Sequence, residues 1–189
     1  GLAIYGFGTD VNSNGLILVN GAGTNALIEQ NILGASATSF TAPPLQGPGS
    51  NVNITGSNGM LRNNLIGFSR GNGVRFGSTA WQVYGNEIYA NGAGSADNLW
   101  GYGATGLVIR GNRIANAASG GFDGLTASSF VNNTVTGNGQ AVTSPEDYGV
   151  SVVGNGSVFS KNIFFGNLGQ GILVYSNVLP TSLNNRISQ

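Results

Sequence analysis

One polar–apolar signature recurs along the chain: an asparagine, any residue, then an apolar residue. It occurs as Asn31-Ile32-Leu33, Asn64-Leu65-Ile66, Asn86-Glu87-Ile88 and Asn112-Arg113-Ile114, then as Asn133-Thr134-Val135, Asn162-Ile163-Phe164 and Asn185-Arg186-Ile187. Three residues before each asparagine sits another apolar residue: Ile28, Leu61, Val83, Ile109, Phe130 and Phe159, with Ser182 the exception. The residue just before the asparagine is Asn63, Gly85, Gly111, Asn132 or Asn184 in five of the seven repeats. Glycine and asparagine tolerate the left-handed backbone region. Each repeat therefore predicts a short strand, a two-residue bend and a second short strand.

Successive asparagines lie 33, 22, 26, 21, 29 and 23 residues apart. A period in the low twenties with occasional insertions is the mark of a solenoid. Stacked at the ~4.8 Å spacing of neighbouring strands, an inward asparagine at the same bend of every coil can donate to one neighbour and accept from the other. A buried amide is costly unless paired in this way, so Asn31, Asn64, Asn86, Asn112, Asn133, Asn162 and Asn185 are expected to form an internal ladder. The same register stacks Leu33, Ile66, Ile88, Ile114, Val135, Phe164 and Ile187 in one apolar column, with Phe130 on Phe159 in another. A third strand starts Gly-apolar-x-apolar, at Gly73–Phe76, Gly149–Val152 and Gly171–Val174, and at Gly15–Leu18 and Gly1–Ile4 in the first coils. The expected fold is all-β: a right-handed parallel β-helix solenoid of seven to eight coils with three short strands each. It is a single domain over 1–189, read as a piece of a longer chain because no polar capping helix is visible at Gly1 or Gln189. Its bare ends call for flanking domains of the same chain or a capping protein partner. Three insertions, near 35–50, 90–99 and 137–148, follow the Asn-x-apolar strand and should crowd one side of the rod.

Composition narrows the chemistry. The 189 residues include 33 Gly and 25 Asn but only 14 charged residues, seven of each sign, with no Cys and no His. A zero net charge argues against nucleic acid and against recruitment to an anionic membrane surface. No apolar run approaches the ~20 residues of a membrane span. Disulfides and thiolate metal sites are excluded, as is a histidine base. Spaced aliphatic residues distinguish the chain from a Gly/Asn/Ser-rich disordered linker.

These repeats resemble the right-handed parallel β-helix proteins, relatives in shape of pectate lyases, over the whole chain, and most resemble the repeats of large bacterial surface adhesins. The resemblance implies an extracellular or bacterial cell-surface location. It is specific for fold and poor for function, since the same fold carries lyases, glycosidases, epimerases, tailspikes and adhesins. In pectate-lyase-like enzymes the substrate groove runs along the strand after the insertions and its flanking loops. That strand brings Arg75, Asp123 and Ser151, and the loops bring Phe40, Pro43, Pro44, Pro48, Asp97, Trp100, Tyr102, Glu146, Asp147 and Tyr148.

Trp100, Tyr102, Asp97, Arg75 and Tyr148 are candidate ligand contacts. Asp123, Asp147 and Glu146 are the candidate carboxylates, enough in kind for glycoside hydrolysis or, with loop carbonyls, for calcium; no other cofactor is implied. Against this, Asp and Glu beside Gly, Ser and Pro are common turn residues, Trp100 could point into the core, and Arg75 could be a solvated side chain. Glu87 and Arg113 share one position in adjacent coils and predict a surface ion pair. Three matches to the glycosylation pattern are expected by chance in so Asn-rich a chain. The uronate lyases and galacturonan hydrolases of this shape use bases, a Gly-His-Gly stretch and paired aspartates that have no counterpart here. Gly121–Gly124 resembles only a fragment of an epimerase motif. The sequence thus favours a non-catalytic structural and adhesive module that contacts glycan; the alternative is a polysaccharide hydrolase or lyase using the loop-bearing face.

Overall fold

In a computed structural model, which describes residues 2–6, 15–21, 25–47, 49–93, 96–141 and 147–188, the chain winds into a parallel β-helix. Each full coil contributes one strand to each of three parallel sheets, which among the described residues hold eight, seven and seven strands. The asparagine sheet holds the Asn-x-apolar strands, from Ala3–Ile4 to Arg186–Ser188. The loop-side sheet holds the strands that follow the insertions, from Ile17–Val19 to Ile172–Val174. The leading sheet holds the strands that run into the asparagine bend, from Leu27–Glu29 to Thr181–Leu183.

The bend explains why strands this short stack without slipping. The residue before every ladder asparagine is left-handed, including the two that are neither Gly nor Asn: Gln30 at φ 56° and Lys161 at φ 57°. The asparagine then turns inward and satisfies four groups at once. Asn112 Oδ1 accepts from Asn86 N and Nδ2 at 2.8 and 3.0 Å, while its own Nδ2 donates to Val83 O and Asn133 Oδ1 at 2.9 and 3.0 Å. The pattern repeats from Asn31 to Asn185. A one-residue slip would leave these amides unpaired and turn the apolar faces outward.

The aliphatic column of the asparagine sheet is fully enclosed from Leu33 through Ile66, Ile88, Ile114 and Val135 to Phe164. It ends at Ile187, which pairs with Phe164 yet is 57 % exposed. Phe130 and Phe159 pair in adjacent leading strands with ring centroids 5.7 Å apart. Ser182 takes Phe159's place in the next coil.

Two strand expectations are corrected. Ala3–Ile4 pairs with Ile32–Leu33, so it belongs to the asparagine sheet and not to the Gly-apolar-x-apolar class. In the first loop-side strand, Ile17 rather than Leu16 aligns with Val52. Val19 therefore points inward, and Leu18, 50 % exposed, points out. The backbone pairing of Leu16 and Ile17 to Asn51 O outweighed the Gly-apolar alignment on which the sequence pattern rested.

A second asparagine ladder lies at the insertion corner. Asn51 Nδ2 donates to Asn91 Oδ1, Asn91 to Asn98, Asn98 to Asn138 and Asn138 to Asn167, at 2.9–3.2 Å. Asn91, Asn138 and Asn167 each follow a left-handed residue, namely Ala90, Gly137 and Gly166, and so repeat the geometry of the first bend. Where the equivalent residue is Ala117, Asn98 reaches in from the end of an insertion to fill the gap. This ladder accounts for the glycine that opens the loop-side strands. A Cβ on Gly73 would lie 2.6 Å from Asn91 Nδ2, and one on Gly149 would lie 2.5 Å from Gly171 O.

Candidate functional site

Pairing in the loop-side sheet sets one outward row across consecutive coils: Leu18, Asn53, Arg75, Trp100 and Asp123. Their strand neighbours Val52, Val74, Leu99 and Phe122 point into the core and are buried, as strand alternation requires. Trp100 is thereby an outward, half-buried ring rather than a core residue. The exposed Arg75 lays its guanidinium 4.8 Å from the centre of that ring, within range for a cation–π contact. Tyr102 flanks it with ring centroids 5.9 Å apart and is 44 % exposed.

Asp123 sits at an irregularity. Phe122 pairs with Val150 and Leu125 with Val152, so Asp123 and Gly124 together face the single residue Ser151. This is a β-bulge, a device that re-aims a side chain. Gly124 is left-handed at φ 94°, and its missing Cβ leaves room for Tyr102, whose N and Cδ2 lie 2.8 and 2.9 Å from where that atom would be. Ser151 Oγ donates to Asp123 Oδ1 at 2.6 Å and accepts from Gly124 N at 2.8 Å. The carboxylate is thus oriented by a buried hydroxyl and is only 4 % exposed.

The other candidates are placed elsewhere. Asp97 is buried at the insertion corner, its Oδ1 accepting from Gly120 N at 2.7 Å. Tyr148 is 1 % exposed, its ring seated over the same Gly120. Asp97 and Tyr148 thus stitch the second and third insertions across the coil between them. Asp147 has its backbone against Gly139 and Gly169, and its Oδ1 is buried with no hydrogen-bond partner among the described residues. Glu146 and Pro48 lie outside the described residues. Among the described residues no group of three or more Asp or Glu could hold a metal ion.

One contributor escaped the sequence reading. Asn53 belongs to the row, signalled only by the alternation Val52-Asn53-Ile54, which lacks the opening glycine. Phe40, from the first insertion, packs on Phe68 and Tyr89 with ring centroids 5.1 and 6.2 Å apart, pinning that loop to the corner of the rod. On the asparagine sheet, Arg113 and Glu87 form the surface ion pair at 2.6 Å.

No helix among the described residues is long and apolar enough to cross a membrane. No curated protein matches the sequence. Among solved structures, the fold is similar to that of pectate lyase Pel9A, with a TM-score of 0.67 at 17 % identity over 98 % of this chain and 59 % of that one. At that identity the likeness is one of fold, and the chain spans little more than half of that enzyme's length. The profile of the right-handed beta helix region matches residues 15–187, and the chain belongs to that family.

Proposed function

We propose that this chain is the groove-bearing part of a polysaccharide-active protein, a glycoside hydrolase or lyase, with the loop-side sheet as its substrate face. One observation carries the reading: Arg75, Trp100 and Asp123 occupy a single register row on three consecutive strands beside the insertions. An aromatic face offers a stacking surface to a sugar ring, a guanidinium pairs with carboxylate, and a bulge directs the Asp123 carboxyl from within the row. The fold shared with an enzyme named as a pectate lyase supports an acidic polysaccharide as the polymer. In this reading Trp100 and Tyr102 hold the sugar, Arg75 selects it and Asp123 is the reacting carboxylate. Ser151 is a positioning residue that keeps Asp123 in place.

Incubation with acidic and neutral polysaccharides, with and without calcium, followed by chromatography of the products, tests the reading. Shortened products that disappear with Asp123→Asn are expected. Absence of products from every polymer, in a folded sample, overturns it in favour of a second reading. That reading is a non-catalytic structural and adhesive module of a secreted or cell-surface bacterial protein, continued or capped by its neighbours. It is supported by the enclosure of Asp123, whose carboxylate already accepts from Ser151 Oγ.

A further inference from the structure

The chain has no net charge, yet folding sorts its charges. Five of its seven cations lie along the bend between the leading and asparagine sheets. Arg62 and Arg110 end leading strands, Lys161 sits in a bend, and Arg113 and Arg186 begin asparagine strands. Among the described residues only Glu29 and Glu87 accompany them, bound to Arg62 and Arg113 at 2.6 Å each. Arg110, Lys161 and Arg186 are exposed and form no ion pair among the described residues. Among the described residues the loop-bearing side holds Asp97, Asp123 and Asp147 together with Arg70 and Arg75, so the unpaired positive charge of the rod concentrates on this bend.

Two depressions border these cations, one on the bend itself and one on the adjoining outer face of the asparagine sheet. One, of about 390 Å³, is lined by Tyr84, Gly85, Arg110 and Gly111. The other, of about 520 Å³, is lined by Ile163, Phe165, Gly166, Arg186 and Ser188. Each is lined by an aromatic residue, an arginine without an ion pair among the described residues and glycine, and at Gly111 nothing lies within 4 Å of where a Cβ would be. The first seat spans the fourth and fifth coils and the second the seventh and eighth, three coil rises or ~14 Å apart along the rod axis, with the second displaced sideways across the asparagine strand.

We infer that this ridge is a second binding site, on the corner of the rod opposite the loop-side sheet, for a linear acidic polysaccharide. Its carboxylates meet Arg110 and Arg186, with Lys161 between, and its sugar rings stack on Tyr84 at the bend and on Phe165 across the adjoining face of the asparagine sheet. A ring paired with a guanidinium fits a sugar acid better than a bare phosphate backbone, for which a row of cations alone would serve. The site involves no chemistry: it holds polymer on the rod and does not depend on the groove being catalytic.

The chain's own repeats supply substitutions that leave the coil intact. Ser160 stands at the register position of Arg110, Asn132 at that of Lys161, and Thr134 at that of Arg186. The test is equilibrium binding of polygalacturonate, its neutral methyl ester and single-stranded DNA to the whole chain, to the triple variant Arg110→Ser/Lys161→Asn/Arg186→Thr and to Trp100→Ala, at low and high salt. The triple variant should bind polygalacturonate about tenfold more weakly at low salt, with a flatter salt dependence, and Trp100→Ala should keep that salt-dependent component. Unchanged binding by the triple variant would overturn the ridge even if Trp100→Ala showed the groove reading to be right. Equally tight binding of the methyl ester would overturn it too, and DNA binding as tight as polygalacturonate would replace it with a general polyanion surface.

Discussion

The two asparagine ladders solve the same problem at two corners of the coil in different ways. At the bend between the leading and asparagine sheets, one asparagine per coil comes from one fixed position, always after a left-handed residue. At the insertion corner the amides come from two kinds of position: Asn91, Asn138 and Asn167 from a left-handed bend, and Asn51 and Asn98 from the ends of insertions. Both corners keep their buried carbonyls and amides paired. Only the second does so while letting loops of different length leave the rod, and the candidate groove lies beside it. A solenoid can carry variable loops when the ladder that seals their exit is itself assembled from them.

Truncating each ladder tests that contrast. Asn112→Ala removes four hydrogen bonds in the most regular part of the rod and strands Val83 O together with the Asn86 donors. It should cost about 3 kcal/mol in urea unfolding. Asn98→Ala also removes four bonds, but Asn98 closes an insertion whose end can move and admit water. A cost of about 2 kcal/mol is expected there; a cost equal to or above that of Asn112→Ala would erase the distinction between the ladders.

Much of the first corner is legible in sequence because one residue type recurs at one spacing. The column Leu33–Phe164 and the ladder Asn31–Asn185 follow from that register alone. The second ladder carries a fainter signal: Asn91, Asn138 and Asn167 each stand five residues after a ladder asparagine, but Ser69 and Ala117 take that place elsewhere. The pairing of Asn98 with Asn138, 40 residues away, has no local trace. The site is legible in the same uneven way. Arg75 and Asp123 stand at the outward position of the Gly-apolar-x-apolar pattern, whereas Trp100, which the pattern leaves open between core and surface, joins their row only through its pairing with both. The bulge that brings Ser151 to Asp123 depends on a single extra residue between pairing partners, which a pattern of apolar positions does not resolve. The grouping of Asp97 with Tyr148 over Gly120 depends on how two insertions fold back.

Smaller effects sharpen the comparison. Gly149→Ala places a methyl group against the Gly171 carbonyl and 3.1 Å from Asn167 Nδ2. It should cost about 2 kcal/mol, whereas Gly111→Ala at the open first bend should cost about 1 kcal/mol, through its left-handed backbone alone. Glu87→Gln breaks the exposed pair with Arg113 and should change stability by less than about 0.5 kcal/mol, measured by the same unfolding experiment.

The substrate face is tested most directly by tryptophan fluorescence during titration with polygalacturonate. The chain has two tryptophans: Trp81, fully buried with its Nε1 donating to Gly56 O at 2.7 Å, and Trp100, half-buried beneath Arg75. A saturable change in emission, retained in Trp81→Phe and lost in Trp100→Phe, is the predicted result. Polymer that binds while the emission of Trp100 stays constant would contradict the assignment of the loop-side sheet as the groove.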